Sequence, residues 1–251
     1  SNNLAIVDIS DPTNPTTTGN WDPNDSNVMT RPQSVSIIGN YAYVTGYVSN
    51  NVAIIDVSDP TNPTTVGNFD PNDSNVLAAP TGIDVSGNFA YITTSEFAGS
   101  DTVLVVDVSD PANPTQVGIW DPNDTSIYDG SNDIQIVGDY AYLLGGGANN
   151  VLVLDISSSS NPVLVGNWDP VPGIIDSARN ISVIGNYAYV NGYSTGKLAI
   201  LDLGGLITPT AEIGNLLAND IQSDFVRVTQ SLTTDGSLNV GTNAMIGGSL
   251  T

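Results

Sequence analysis

Residues Leu4–Asn27 read LAIVDISDPTNPTTTGNWDPNDSN: a β-type run ending in Asp, a Pro/Asn turn, then a Gly-Asn-aromatic-Asp phrase. The phrase returns as VAIIDVSDPTNPTTVGNFDPNDSN from Val52 and VLVVDVSDPANPTQVGIWDPNDTS from Val103. Looser copies, VLVLDISSSSNPVLVGNWDP and LAILDLGGLITPTAEIGN, start at Val151 and Leu198. The equivalent aspartates, Asp8, Asp56, Asp107, Asp155 and Asp202, are 48, 51, 48 and 47 residues apart. Such a period means one supersecondary unit copied along the chain, each copy burying its faces against its neighbours.

Between these runs lies a second phrase: SVSIIGNYAYVTGY from Ser34, IDVSGNFAYITT from Ile83, IQIVGDYAYLLG from Ile134 and ISVIGNYAYVNGY from Ile181. Gly-Asn or Gly-Asp between two β-rich runs signals a tight hairpin, because both residues tolerate positive φ. Each unit therefore has four short strands: A (SVSII), B (YAYV), C (NVAIIDVS) and D (PTTVGNF). The C strands are almost continuously apolar, as strands covered on both faces are. No stretch carries helical periodicity. Four strands per unit without helices predicts an all-β chain, a β-propeller of four-stranded antiparallel blades.

The first copy opens inside a C strand, and four full A–D sets follow, giving 18 strands or about 4.5 blades. Their bounds are about 1–32, 33–79, 80–130, 131–178 and 179–215. Half a blade does not close a ring. The expectation is an internal stretch of a longer protein; the alternative is a tail that supplies the missing strands. That tail, 216–251, lacks the repeat phrases and holds two β-like runs, Phe225–Thr229 and Ser237–Val240.

Composition limits function. There are 26 acidic and 4 basic residues, a net charge of −22, with no His and no Cys. Such a field repels nucleic acid and anionic membrane surfaces, and no run of the sequence is long and apolar enough to insert in a membrane. Nucleophile–His catalysis has no His or Cys to use, and zinc lacks its usual ligands. The reaction class left is a paired-carboxylate glycosidase, for which Asp84 and Asp133 lie near the inner strands. A non-enzymatic module is the expected outcome.

The phrases LAIVDISDPTNP, VAIIDVSDPTNP and VLVVDVSDPANP, each with a later Gly and, from the second unit on, a Gly-Asn-Tyr-Ala-Tyr-like hairpin before it, resemble the LVIVD-repeat family over Asn3 to about Asn215. The fourth and fifth units depart from it where SSSSNP and GGLITP replace SDPTNP. The resemblance implies a bacterial or archaeal cell-surface or secreted β-propeller, mostly of unassigned activity. The tail's small, polar and apolar alternation with Gly steps resembles trimeric phage-type fibre segments. Together these imply an extracellular display, adhesion or assembly module. Its partners would be other copies of itself or a fibre continuing from the tail, with surface glycans as a further partner.

Two candidate sites follow from the residues. The D-to-A loop, Asp22-Pro23-Asn24-Asp25-Ser26-Asn27, recurs at 70–75 and 121–126. Asp22, Asn24, Asp25, Asp70, Asn72, Asp73, Asp121, Asn123 and Asp124 are therefore candidate calcium ligands, since calcium takes roughly six to eight oxygens. The same residues also serve as Asx turns, and Asn24, Asn72 and Asn123 begin glycosylation sequons. The second site breaks the repeat's symmetry. Aligning units on Gly39, Gly87, Gly138 and Gly185 puts Gln33, Thr81, Asn132 and Arg179 at one position, with Ser34, Gly82, Asp133 and Asn180 next. If A is the innermost strand, Gln33, Thr81, Asn132, Asp133, Arg179 and Asn180 line the channel mouth, suited to a small polar ligand or sugar, and equally to a solvated pore. The Asp-Pro turns of Asp11, Asp59 and Asp110 and the strand-B aromatics are expected to be structural.

Overall fold

The computed structural model describes residues 2–23, 25, 28–71, 76–95 and 101–203. Contacts divide the chain into two units, Ser1–Ile207 and Thr208–Thr251. The fifth D strand expected before Asn215 and the fibre-like tail from Leu216 lie outside the described residues, as do Asn24, Asn72 and Asp73.

Seventeen strands and no helix occur among the described residues. β1 (Leu4–Asp8) and β2 (Thr16–Trp21) form a C–D hairpin. Three complete blades follow. They are β3 (Pro32–Ile38), β4 (Tyr41–Gly46), β5 (Asn51–Asp56) and β6 (Thr64–Phe69); β7 (Pro80–Ser86), β8 (Phe89–Thr94), β9 (Val103–Asp107) and β10 (Thr115–Trp120); and β11 (Ser131–Val137), β12 (Tyr140–Gly145), β13 (Asn150–Asp155) and β14 (Val163–Trp168). β15 (Ala178–Ile184), β16 (Tyr187–Gly192) and β17 (Lys197–Asp202) are the A, B and C strands of the last sheet. Every pairing is antiparallel between sequence neighbours. The A strands β3, β7, β11 and β15 pack in succession against one another, so A is the innermost strand. This is the β-propeller that the period predicts.

The repeat residues explain the local geometry. Gly39, Gly87, Gly138 and Gly185 hold φ between 56° and 58° at the A–B hairpins, where a Cβ would strain the backbone. In the C–D turn, Asp8, Asp56, Asp107 and Asp155 accept the backbone N–H two residues on, at 2.8–2.9 Å. Asp11 and Asp59 hold both the N–H and the hydroxyl of Thr13 and Thr61. These acids are turn chemistry, as expected.

The core lies between blades rather than at a centre. One cluster joins Tyr43, Ile54 and Phe69 to Ile83, Ile92 and Leu104 of the following blade. The next joins Tyr91, Val105 and Trp120 to Ile134, Leu143 and Leu154. A third links Leu144 and Val151 to Ile181 and Val190, and a fourth sets Trp21 against Val44 and Ile55. Interior C strands are thus covered twice: Val52 is 2% exposed and Ile54 and Val105 are 0% exposed. Their equivalents in β17 are uncovered on one face, with Leu198 63% and Ile200 60% exposed. At the other end Val7 of β1 and Val35 and Ile37 of β3 are open.

Candidate functional site

Each A strand starts with the same irregularity. The register with strand B shifts between Pro32 and Val35, Pro80 and Ile83, Ser131 and Ile134, and Ala178 and Ile181. The two residues inside each shift are Gln33-Ser34, Thr81-Gly82, Asn132-Asp133 and Arg179-Asn180. A bulge leaves its residues off the ladder and re-aims their side chains. Strand B satisfies the freed N–H groups in three blades: Ser34 donates to the Thr45 hydroxyl, Gly82 to Thr93 at 2.8 Å, and Asn180 to the Asn191 amide oxygen at 2.8 Å.

The bulges converge. Gln33, Thr81, Asn132, Asp133, Arg179 and Asn180, the residues singled out by broken symmetry, line one cavity of about 200 Å³, and Ser34 completes the lining. Thr81 is fixed by bonds to the Thr93 and Ser131 hydroxyls, at 2.9 and 3.1 Å. Asn132 donates to the Ala178 carbonyl of the next blade. Asp133 accepts the N–H groups of Ile134 and Ile181, both at 3.0 Å. Burial raises its carboxyl above the ordinary value; these two hydrogen bonds and one to Asn180 oppose the rise, and the Asp84 charge adds to it. The Arg179 guanidinium stacks on the Tyr193 ring, 4.3 Å from its centroid.

Asp84 does not line the cavity. Its Oδ1 takes the Ser36 hydroxyl at 2.9 Å, and its Oδ2 takes the Ile136 N–H of the next blade at 2.8 Å. Ser36, Asp84 and Gln135 occupy one repeat position, and each accepts a following-blade N–H, from Val85, Ile136 and Val183 respectively. Three different side chains therefore clasp successive blades in one way. That row carried no signal in the sequence, because residue identity changes while geometry does not. A second row does the same at the outer end of the A strands: Asn2, Asn50 and Asn149 accept the N–H of Arg31, Ala79 and Ser177, residues held at φ 56°, 42° and 54°.

Of the candidate calcium loops, 121–126 is fully described. Asp121 accepts the Asn123 N–H at 2.7 Å, and Asp124 accepts the N–H and hydroxyl of Ser126 at 2.9 and 2.7 Å. The Ser126 hydroxyl, then its N–H, lower the Asp124 carboxyl below its ordinary value. Asp22, Asp25 and Asp70 are exposed and lie in the equivalent loops. Among the described residues no group of three or more His, Cys, Asp or Glu side chains gathers to hold a metal. No helix there is long and apolar enough to cross a membrane.

The period, the turns and the Asp-ended strand all coincide with one known sequence pattern, the LVIVD repeat, which matches residues 1–22, 31–71, 80–121, 130–170 and 176–206. The chain belongs to the LVIVD repeat family. Four of the five LVIVD segments begin within two residues of an A strand, so the cavity is built from the opening residues of successive repeats. No curated protein matches the chain. Among solved structures it is similar to a chain of a nidogen/laminin complex, at 14% identity and TM-score 0.56, over 76% of this chain and 64% of that one. It is similar to a protein from Lactobacillus plantarum at 14% identity and TM-score 0.54, over 79% and 61%. A computationally designed protein, Ika4, matches at 10% identity and TM-score 0.52, over 70% and 92%. The chain spans less than two thirds of the nidogen/laminin and Lactobacillus chains, and at these identities the likeness concerns fold alone.

Proposed function

We propose that this LVIVD propeller is a non-enzymatic extracellular or cell-surface module for display, adhesion or assembly, with other copies of itself as its principal partner. One observation supports the assembly role: among the described residues, positions that the first two complete blades bury at 0–2% exposure are open at β17, where Leu198 is 63% and Ile200 60% exposed, so a further blade of the same kind, from this protein or from another copy, fits there. The face opposite, with Val7, Val35 and Ile37, is what an interior blade presents to its predecessor. One face complements the other, so two copies meet head to tail by extending the blade-to-blade packing already in the molecule. Burying a Leu or Ile side chain contributes roughly 1.5–3 kcal/mol. The extracellular location is supported by the LVIVD kinship and by the acidic surface.

Sedimentation of the 251-residue chain across a concentration series tests this. Association that Leu198→Asp and Ile200→Asp abolish, with far-UV circular dichroism unchanged, is expected. A monomer at every soluble concentration overturns the assembly role.

A second use of the same module is favoured by the cavity itself: binding a small polar ligand, as a lectin-like propeller binds sugar, at the channel mouth. Asp133 alone brings a carboxylate to that cavity, while Asp84 uses its oxygens to clasp blades. This arrangement supports binding over paired-carboxylate hydrolysis.

A further inference from the structure

One cationic and one anionic residue, Arg179 and Asp133, line the cavity. Arg179 stands where other units have Gln33, Thr81 and Asn132, and Asp133 where they have Ser34, Gly82 and Asn180. Neither charge is a requirement of the repeat. In a chain with 26 acids and 4 bases, a guanidinium at this spot is a rare placement. Its flat face rests on Tyr193, which leaves its N–H edge for a planar acceptor. No carboxylate forms an ion pair with Arg179 among the described residues.

Asp133 is half-buried; it accepts the Ile134 and Ile181 N–H groups, the latter from the next blade, and a hydrogen bond from the Asn180 side chain, which leaves about one of the roughly four lone-pair sites of a carboxylate for a ligand. Gln33 and Asn132 add amide donors and acceptors, and no aromatic ring lines the cavity to stack on a sugar. A water takes about 30 Å³, so the space fits about six or seven waters or one small solute. Arg179 and Asp133 both line this space.

We propose that the cavity binds a small zwitterion of the α-amino-acid class with a polar side chain. Its carboxylate sits on the Arg179 fork, its ammonium on Asp133, and its side chain among Gln33 and Asn132. Net charge selects the class. A net −22 field opposes the entry of an anion but not of a zwitterion, whose two charges meet opposite partners. The inference rests on the channel-mouth binding reading and sharpens its ligand.

Isothermal calorimetry with L-asparagine and L-serine tests it, beside L-asparagine methyl ester (no carboxylate), N-acetyl-L-asparagine (no ammonium), galactose and galacturonic acid. The amino acids are expected to bind, and each blocked derivative to bind at least about ten-fold more weakly, the worth of one charge-assisted hydrogen bond. Arg179→Gln is expected to abolish the preference over the ester, and Asp133→Asn the preference over the acetylated form. Circular dichroism and melting confirm that both variants fold. Equal binding of amino acid and blocked derivatives, or unchanged preferences in both variants, overturns the proposal. If galactose or galacturonic acid binds in an Asp133- or Arg179-dependent way and amino acids do not, the cavity stands as a ligand site and the zwitterion falls. If no probe binds, both fall.

Discussion

A methyl group added at Gly67 tests how tightly the blades are set. Gly67 lies in β6, and a Cβ there would stand 1.9 Å from the Pro111 carbonyl oxygen, in the Asp-Pro-Ala-Asn-Pro turn of the next blade. Gly19 meets Pro60 at the same 1.9 Å, and Gly118 meets Ser159 at 2.3 Å. The D-strand glycine is therefore where the turn of one blade seats on the strand of the one before. Contacts shorter than 3.0 Å are not sustained, so Gly67→Ala must push the strand and the turn apart by about 1.1 Å. Gly67 is not at positive φ, and without the clash Ala would gain roughly 0.5–1 kcal/mol in a strand. Overpacking costs about 1–3 kcal/mol, towards the upper end when backbone must move. A net loss of about 2 kcal/mol follows, a fall of roughly 4–8 °C in Tm for a chain of this size. Gly39→Ala is the control: φ is +56° with no heavy atom within 4 Å, so only backbone strain of about 1 kcal/mol acts, and Gly39→Asn relieves some of it. Differential scanning calorimetry measures all three. A Gly67→Ala protein as stable as the parent, or more so, refutes the close seating of turn on strand.

Asp84→Ala leaves the Ile136 N–H without its acceptor and should destabilise by about 1–3 kcal/mol in urea. Asp84→Gln should recover most of that, because Gln135 does the same for Val183. In pH, Asp56 and Asp107 are held below their ordinary value by the Ser58 and Ser109 hydroxyls and N–H groups, so that stabilisation is present above about pH 4 and is lost as pH falls through the lowered pKa values. Asp133 has the opposite sign, stabilising below that value and less so as pH rises through its raised pKa, while growing negative charge adds repulsion. Tm should therefore peak in mildly acid solution and drop below about pH 4. Head-to-tail association should strengthen with salt, which screens a −22 chain against itself; weakening with salt would assign the contact to ion pairs instead. Turn chemistry alone predicts that calcium returned after chelation leaves Tm unchanged. A rise that Asp124→Ala removes would assign the loop a cation.

Strand order, hairpins and the between-blade core were legible because each depends on patterns a sequence displays directly: apolar continuity in VAIID, Gly-Asn at the hairpins, and a period near 48. The cavity residues were legible for a different reason. Copies of a repeat share structural duties, so positions where Gln33, Thr81, Asn132 and Arg179 disagree are freed from those duties. The clasps escaped the same logic. Ser36, Asp84 and Gln135 also disagree, yet they share a duty, since any acceptor within reach of the following N–H serves. Asp84, a candidate carboxylate in the sequence, accepts the Ser36 hydroxyl on one oxygen and the Ile136 N–H on the other. The D-strand glycine gave no conformational cue, because its reason is a carbonyl some 44 residues away in the next blade.

That contrast supplies a criterion for separating structure from function within an array. At the clasp position the residue varies but the bond is constant, so variation there carries no functional information. At the bulge the bonds themselves differ. Thr81 points to its own blade and to Ser131, Asn132 reaches the Ala178 carbonyl, and Arg179 reaches no neighbouring blade's backbone but lies on Tyr193. Arg31 stacks on Tyr47, 4.7 Å from its centroid, at the ring position equivalent to Tyr193. Arg31, however, sits two positions earlier in its unit than Arg179, outside the bulge, and does not line the cavity. The same ring position thus steadies an arginine in two blades, and in one of them that arginine lines the cavity that Asp133 also lines. An arrangement that the repeat does not need, assembled from components that it does, is where selection for a ligand would leave its mark.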